Sequence, residues 1–189
     1  TLGGVVSGSG GLTKNGAANL ILNGTNTFLG AIALNAGTIT AGANAALGSG
    51  NITVGGAATL DSNTAVTLNN NVILNSNLGI GGSNALTLGG VISGASQLIK
   101  NGTANLTLNG INTFTGGTAL NAGSLTVGNG AALGTGTLTV GGSGGTLNSS
   151  ANVTLNNAIA LNANLTTGGA NPLTLGGVIS GASNLIKTG

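Results

Sequence analysis

The chain has 189 residues, 40% hydrophobic, with 39 Gly and one Pro, yet only three Lys or Arg and one Asp or Glu, for a net charge of +2. Charged residues make up 2%, against about a quarter in an ordinary soluble domain, and His, Cys, Met, Trp and Tyr are absent. Such an inventory excludes metal centres built on His or Cys and nucleophiles that need a His or Cys partner, while a mean hydropathy of +0.45 is too high for a solvated coil.

In chain order, the first recognisable element is Thr1-Leu-Gly-Gly-Val-Val-Ser-Gly8, which returns as Thr87-Leu-Gly-Gly-Val-Ile-Ser-Gly94 and again as Thr174-Leu-Gly-Gly-Val-Ile-Ser-Gly181. Residues 1–56 match 87–142 at 37 of 56 positions, and 174–189 match 87–102 at 14 of 16. Agreement this high at a fixed period marks a repeat architecture, with copies at 1–86, 87–173 and a partial copy at 174–189. The second copy carries one extra residue near Gly144-Gly145, a glycine-rich turn of the kind where repeat proteins tolerate insertions. Aliphatic runs stay as short as Leu20-Ile21-Leu22, far below the ~20 residues of a membrane-spanning helix.

Further along, short alternating triplets recur: Leu106-Thr-Leu108, Leu125-Thr-Val127, Leu138-Thr-Val140, Val153-Thr-Leu155 and Leu173-Thr-Leu175. Period-2 alternation of aliphatic with Thr predicts strands buried on one side. Asn-Gly, Gly-Gly and Gly-Asn steps between them predict turns. Gly, Asn, Thr and β-branched residues in every window argue against helix. An all-β solenoid of parallel rungs follows, and a period of 86–87 divides into four rungs of roughly 21–22 residues. The chain then holds about nine rungs and forms a rod ~40 Å long at a rung spacing of ~4.8 Å. Inward Leu, Val and Ile stack along the axis, and Asn side chains at the turns form ladders. On this division Lys14 and Lys100 share a face ~19 Å apart, about twice the Debye length, with negligible repulsion.

The stretch from Leu106-Thr-Leu-Asn-Gly-Ile-Asn-Thr-Phe-Thr-Gly-Gly-Thr-Ala-Leu-Asn-Ala-Gly-Ser-Leu-Thr-Val to Gly128 resembles the autotransporter-associated β-strand repeat of bacterial autotransporter passenger domains, and Leu20 to Gly42 is a more diverged copy. The resemblance implies a right-handed parallel β-helix displayed outside a Gram-negative cell, in a repeat thought to help the passenger emerge and fold at the outer membrane. With neither an initiator Met nor a secretory leader, the chain is expected to be a window of a longer protein. Lack of Cys is compatible with any compartment.

No catalytic, cofactor-binding or metal-binding residue is expected. Asp61 is the single carboxylate, its counterpart in the next copy is Asn148, and paired-carboxylate hydrolysis needs two. Gly141-Gly-Ser-Gly-Gly145 is not followed by Lys-Ser/Thr or by a predicted helix, so it reads as a turn rather than a phosphate loop. Lys14, Lys100 and Lys187 are too dispersed, and Phe28 and Phe114 too few, for a nucleic-acid groove. The two phenylalanines are expected in the core or at corners. Triplets such as Asn105-Leu-Thr107 match the glycosylation pattern but arise by chance in a chain rich in Asn and Thr. Hydroxyl pairs Thr38/Thr40, Ser124/Thr126, Thr137/Thr139 and Asn51/Thr53 are expected to point outward, a pattern that raises ice binding as a minor alternative. The principal expectation is a non-catalytic stalk of a secreted or surface-exposed protein, acting as spacer and adhesive. Its partners would be itself or a host or cell surface. A self-assembling extracellular fibre is the rival reading.

Overall fold

The computed structural model describes residues 1–188. Their strands are short, mostly three residues, because each aliphatic-x-aliphatic triplet is bounded by residues that favour turns. Every strand pairs in parallel with one about a turn away, and the described residues contain no helix. Three faces result, visited in a fixed order along the chain. Face one begins with Leu12–Lys14, face two with Asn19–Leu22 and face three with Val66–Leu68. Face two is an unbroken nine-stranded sheet running to Ile179–Gly181, and face three has seven strands ending at Leu185–Lys187. Face one holds five strands up to Ile92–Gly94 and resumes after a gap as the two-stranded pair Val153–Leu155 with Leu173–Leu175. The chain is thus a β-solenoid of about nine turns.

The register corrects the rung length. Leu12 pairs with Ile32, Ile32 with Ile52, Ile52 with Val72 and Val72 with Ile92, so a turn takes 20 residues rather than 21–22. Steps of 19 and 22 occur around Leu125, which pairs with Leu106 on one side and Leu147 on the other. The longer step contains Gly142 and Gly144, both at positive φ, so the extra residue of the second copy does sit in the glycine-rich turn.

A period of 86–87 is therefore four turns plus one face. Leu12–Lys14 lies on face one, its copy Leu98–Lys100 on face two and the next copy Leu185–Lys187 on face three. The same phase step explains the gap in face one. In the first copy, residues 23–31 and 42–51 carry no strand where face three would be, and in the second copy the equivalent strandless stretches 109–117 and 128–137 fall on face one.

Inward positions stack as expected. On face two, Leu20, Ile39, Leu60, Ile80, Lys100, Leu120, Val140 and Leu161 form one column in register. Both leucines of Leu106-Thr-Leu108 are buried. Burial at ~25 cal/mol/Å² accumulates turn by turn, each layer covering the next. Phe28 and Phe114 are buried in the strandless stretches. There a ring fills the space that a strand's aliphatic pair fills elsewhere, so both phenylalanines belong to the core.

Candidate functional site

Three-residue strands expose one side chain each, so each outer face carries a single column. On face three this column is Thr67, Thr87, Thr107 and Thr126, followed by Asn148. On face two it runs Thr38, Thr59, Gly79, Ile99, Ala119, Thr139, Ala160 and Ser180. The hydroxyl pairs read from sequence do not form a double row. Thr40 is buried and donates to Asn19 Oδ1 at 3.1 Å, and Thr126 donates to Asn105 Oδ1 at 2.9 Å. Asn105 Nδ2 in turn donates to Thr107 Oγ1 at 2.9 Å, so the amide of that glycosylation-like triplet is engaged within the fold.

At the corners, asparagines lie over the adjacent turn. Asn35 Nδ2 donates to Asn15 Oδ1 at 2.8 Å, and Asn121 Nδ2 to Asn101 Oδ1 at 2.9 Å. Elsewhere glycine alternates with asparagine: Asn63 Nδ2 reaches Asn23 Oδ1 at 3.0 Å across Gly42, and a Cβ on Gly176 would lie 2.6 Å from Asn156 Oδ1. The expected ladders therefore exist, but as amides laid over glycines as often as over one another.

Asp61 is engaged within its own corner column. Its Oδ1 accepts from Ser62 N at 2.8 Å and Ser83 N at 3.1 Å, and its Oδ2 from Ser83 Oγ at 2.7 Å. Gly141 to Gly145 form a turn closed by Gly144 N to Gly141 O at 2.9 Å.

The lysines depart from the sequence reading. Lys14 and Lys100 lie on different faces, and both point inward. Lys100 is fully buried and Lys14 is 8% exposed. Lys14 Nζ donates to Gly16 O and, at 3.1 Å, to Ala36 O; Lys100 Nζ donates to Gly102 O and, at 3.4 Å, to Ala122 O. Each ammonium thus bridges its own corner and the corner one turn on, where Gly37 and Gly123 adopt φ +73°. Burial pulls the Lys100 pKa below its ordinary value, and the charge of Asp61 opposes that shift. The alternation that predicts inward residues at Leu12 and Leu98 also places Lys14 and Lys100 inward; the shared-face assumption, tied to a whole number of turns per repeat, obscured it.

Buried amides add to the interior polar set. Asn26 Oδ1 accepts from Val6 N at 2.8 Å while Nδ2 donates to Ala46 O at 2.6 Å, and Asn112 repeats this with Ile92 N at 2.7 Å and Ala132 O at 2.6 Å. These asparagines hold the strandless stretches by supplying the backbone partners that a sheet ladder would supply.

The passenger-associated-transport-repeat family matches residues 12–41 and again 98–127. Two stretches of the chain are thus similar to passenger-associated-transport repeats. Together they cover about a third of its length. Each transport repeat spans two strands, the Phe-bearing strandless stretch with its buried Asn, and two further strands, beginning at the strand that carries the buried Lys. The matched unit therefore holds both buried lysines and the buried Asn26 and Asn112, while further buried polar side chains such as Ser62, Asn70, Ser149 and Asn157 lie outside it. Comparison of the chain with curated proteins and with solved structures finds no match.

Proposed function

We propose that the chain is a non-catalytic stalk segment of an autotransporter-like passenger, secreted or displayed at a bacterial outer surface, serving as a rigid spacer and as a surface for adhesion or self-association. The observation that carries this reading is a solenoid of about nine turns with a stacked, mainly aliphatic interior, in a chain with two stretches that match transport repeats. Stacked turns give stiffness along the axis, since bending would separate paired strands. The outer columns are mostly Thr, Asn, Ser, Ala and Gly, interrupted by Ile73 on face one and Ile99 on face two, chemistry suited to wet contacts with a surface. With two of the three lysines turned inward, little charge remains outside to keep neighbouring rods apart.

Negative-stain microscopy with light scattering tests the reading. Monodisperse rods ~40 Å long are the expected result for the purified segment. Filaments would favour the rival, a self-assembling extracellular fibre. Turnover of a polysaccharide that disappears in Asp61→Asn would refute the non-catalytic assignment.

A further inference from the structure

A solenoid of near-identical turns has a specificity problem that its hydrophobic core does not solve. Slipping a strand by one turn sets aliphatic on aliphatic and keeps Thr67, Thr87, Thr107 and Thr126 in a single outer column. Register in a sheet is well specified only where the pattern penalises a slip, and a whole-turn slip preserves the alternation. Something other than Leu, Val and Ile must distinguish one turn from the next.

We propose that the buried lysines are register pins: each ammonium, inserted in an aliphatic column and bound to carbonyls of two successive corners, accepts only the native neighbour as its next turn. Lys100 sits between Ile80 and Leu120 in the face-two column, and its second acceptor, Ala122 O, belongs to the following turn. If that turn were looped out, Val140 would replace Leu120, an apolar exchange of little cost. Gly142 and Ser143 would then stand where Ala122 and Gly123 stand. Gly123 has φ +73°, which Ser adopts poorly. The carbonyl cradle would be lost and a buried ammonium left with one acceptor, the situation that costs most in a low-dielectric interior. The geometry recurs at Lys14, where a Cβ on Gly37 would lie 2.6 Å from Nζ and Ala36 O is the acceptor from the next turn. A single buried polar group that sets register at some expense of stability is the best-attested use of such groups.

The chain has no Cys, so an introduced pair reports register without interference. Thr107 and Asn148 lie in one outer column two turns apart with Thr126 between them. Their Cα separation of about 9.6 Å is beyond disulfide reach, whereas looping out the intervening turn makes them adjacent at about 4.8 Å, within reach. After refolding from urea under oxidising conditions, Thr107→Cys/Asn148→Cys is expected to cross-link weakly in the parent and several-fold more in Lys100→Met. Lys14→Met, a pin on another face and in an earlier turn, is expected to leave the yield at the parent value. Equal yields in the parent and Lys100→Met would overturn the proposal, as would an equal rise in Lys14→Met, which would signal general loosening. Failure of Lys100→Met to refold by circular dichroism would overturn it too, because it would make the lysine a requirement of the core rather than of its register.

Discussion

Thr118 offers a direct test of how the interior is held. It points inward on face two between Leu98 and Leu138, is fully buried, and its Oγ1 is buried with no hydrogen-bond partner among the described residues. Its counterpart in the first copy is Ile32, also fully buried, so the site is compatible with an aliphatic side chain. Thr118→Val replaces the hydroxyl by a methyl of nearly the same shape. An unsatisfied buried hydroxyl costs about 1–3 kcal/mol, so the variant is expected to be more stable by about 1–2 kcal/mol. Urea unfolding should show this as a higher midpoint at unchanged slope, since the surface exposed on unfolding is the same. Thr118→Ser retains the hydroxyl and deletes a buried methyl, which should lower stability by about 1 kcal/mol. A midpoint for Thr118→Val equal to or below the parent would refute the reasoning, meaning that the hydroxyl is satisfied in solution.

Further perturbations probe the remaining features. Asn112→Ala leaves Ile92 N and Ala132 O without their side-chain partner and is expected to cost about 2–4 kcal/mol, read from the same unfolding curves. Gly123→Ala must place a Cβ at φ +73° and 2.5 Å from both Gly102 O and Thr103 O, so its melting temperature should drop clearly. Gly16→Ala, with nothing within 4 Å, should be nearly neutral. Phe114→Ala opens a cavity in a strandless corner and should cost about 3–5 kcal/mol. Because burial lowers the Lys100 pKa, the unfolded chain holds that proton more tightly than the folded one. Stability should therefore rise with pH from the depressed folded value toward the ordinary 10.5 as the penalty on the buried charge is relieved. Lys100→Met should flatten this rise in alkaline unfolding experiments, a comparison simplified by the absence of Tyr and Cys.

Alternation in the Leu-Thr-Leu triplets was enough to read the strands and their inward faces, because a three-residue strand with aliphatic ends has one way to bury both. The parallel stacking was legible from the repeat, and the core role of Phe28 and Phe114 from their scarcity in an aliphatic chain. The number of residues per turn was not. A sequence period reports when the same residues return, not when the chain returns to the same face, and the two coincide only if a repeat contains whole turns. Here the triplets Val66–Leu68, Val72–Leu74, Leu78–Ile80 and Leu86–Leu88 follow one another at steps of six, six and eight residues, and that shorter spacing, one face each, is the signal for a 20-residue triangular turn. The same mismatch between period and turn masks the buried lysines. Lys14 and Lys100 stand two residues after an inward leucine, yet a cation in an aliphatic column violates the rule by which inward positions are recognised, and only the corner carbonyls make it tolerable. At Asp61, composition indicates an isolated carboxylate, and in the structure its oxygens are taken up by Ser62 and Ser83.

The phase step between repeat and turn has a structural consequence for a stalk. A motif that recurred after a whole number of turns would stack on one face, giving the rod a strandless side and a concentration of buried cations along one edge. Advancing by one face per copy distributes these features instead. Strandless stretches replace face three in the first copy and face one in the second, and face two runs unbroken beside both. Lys14, Lys100 and Lys187 occupy faces one, two and three in turn. Continued at this step, a feature regains its original face after three copies, about 13 turns or roughly 60 Å along the axis. Each corner without a sheet ladder is then flanked by ladders on the other two faces, so no line of weakness runs down the rod. For the same reason a partner that recognises one copy's outer residues meets the next copy rotated by a third of a turn, which disfavours flat, one-sided association over many copies.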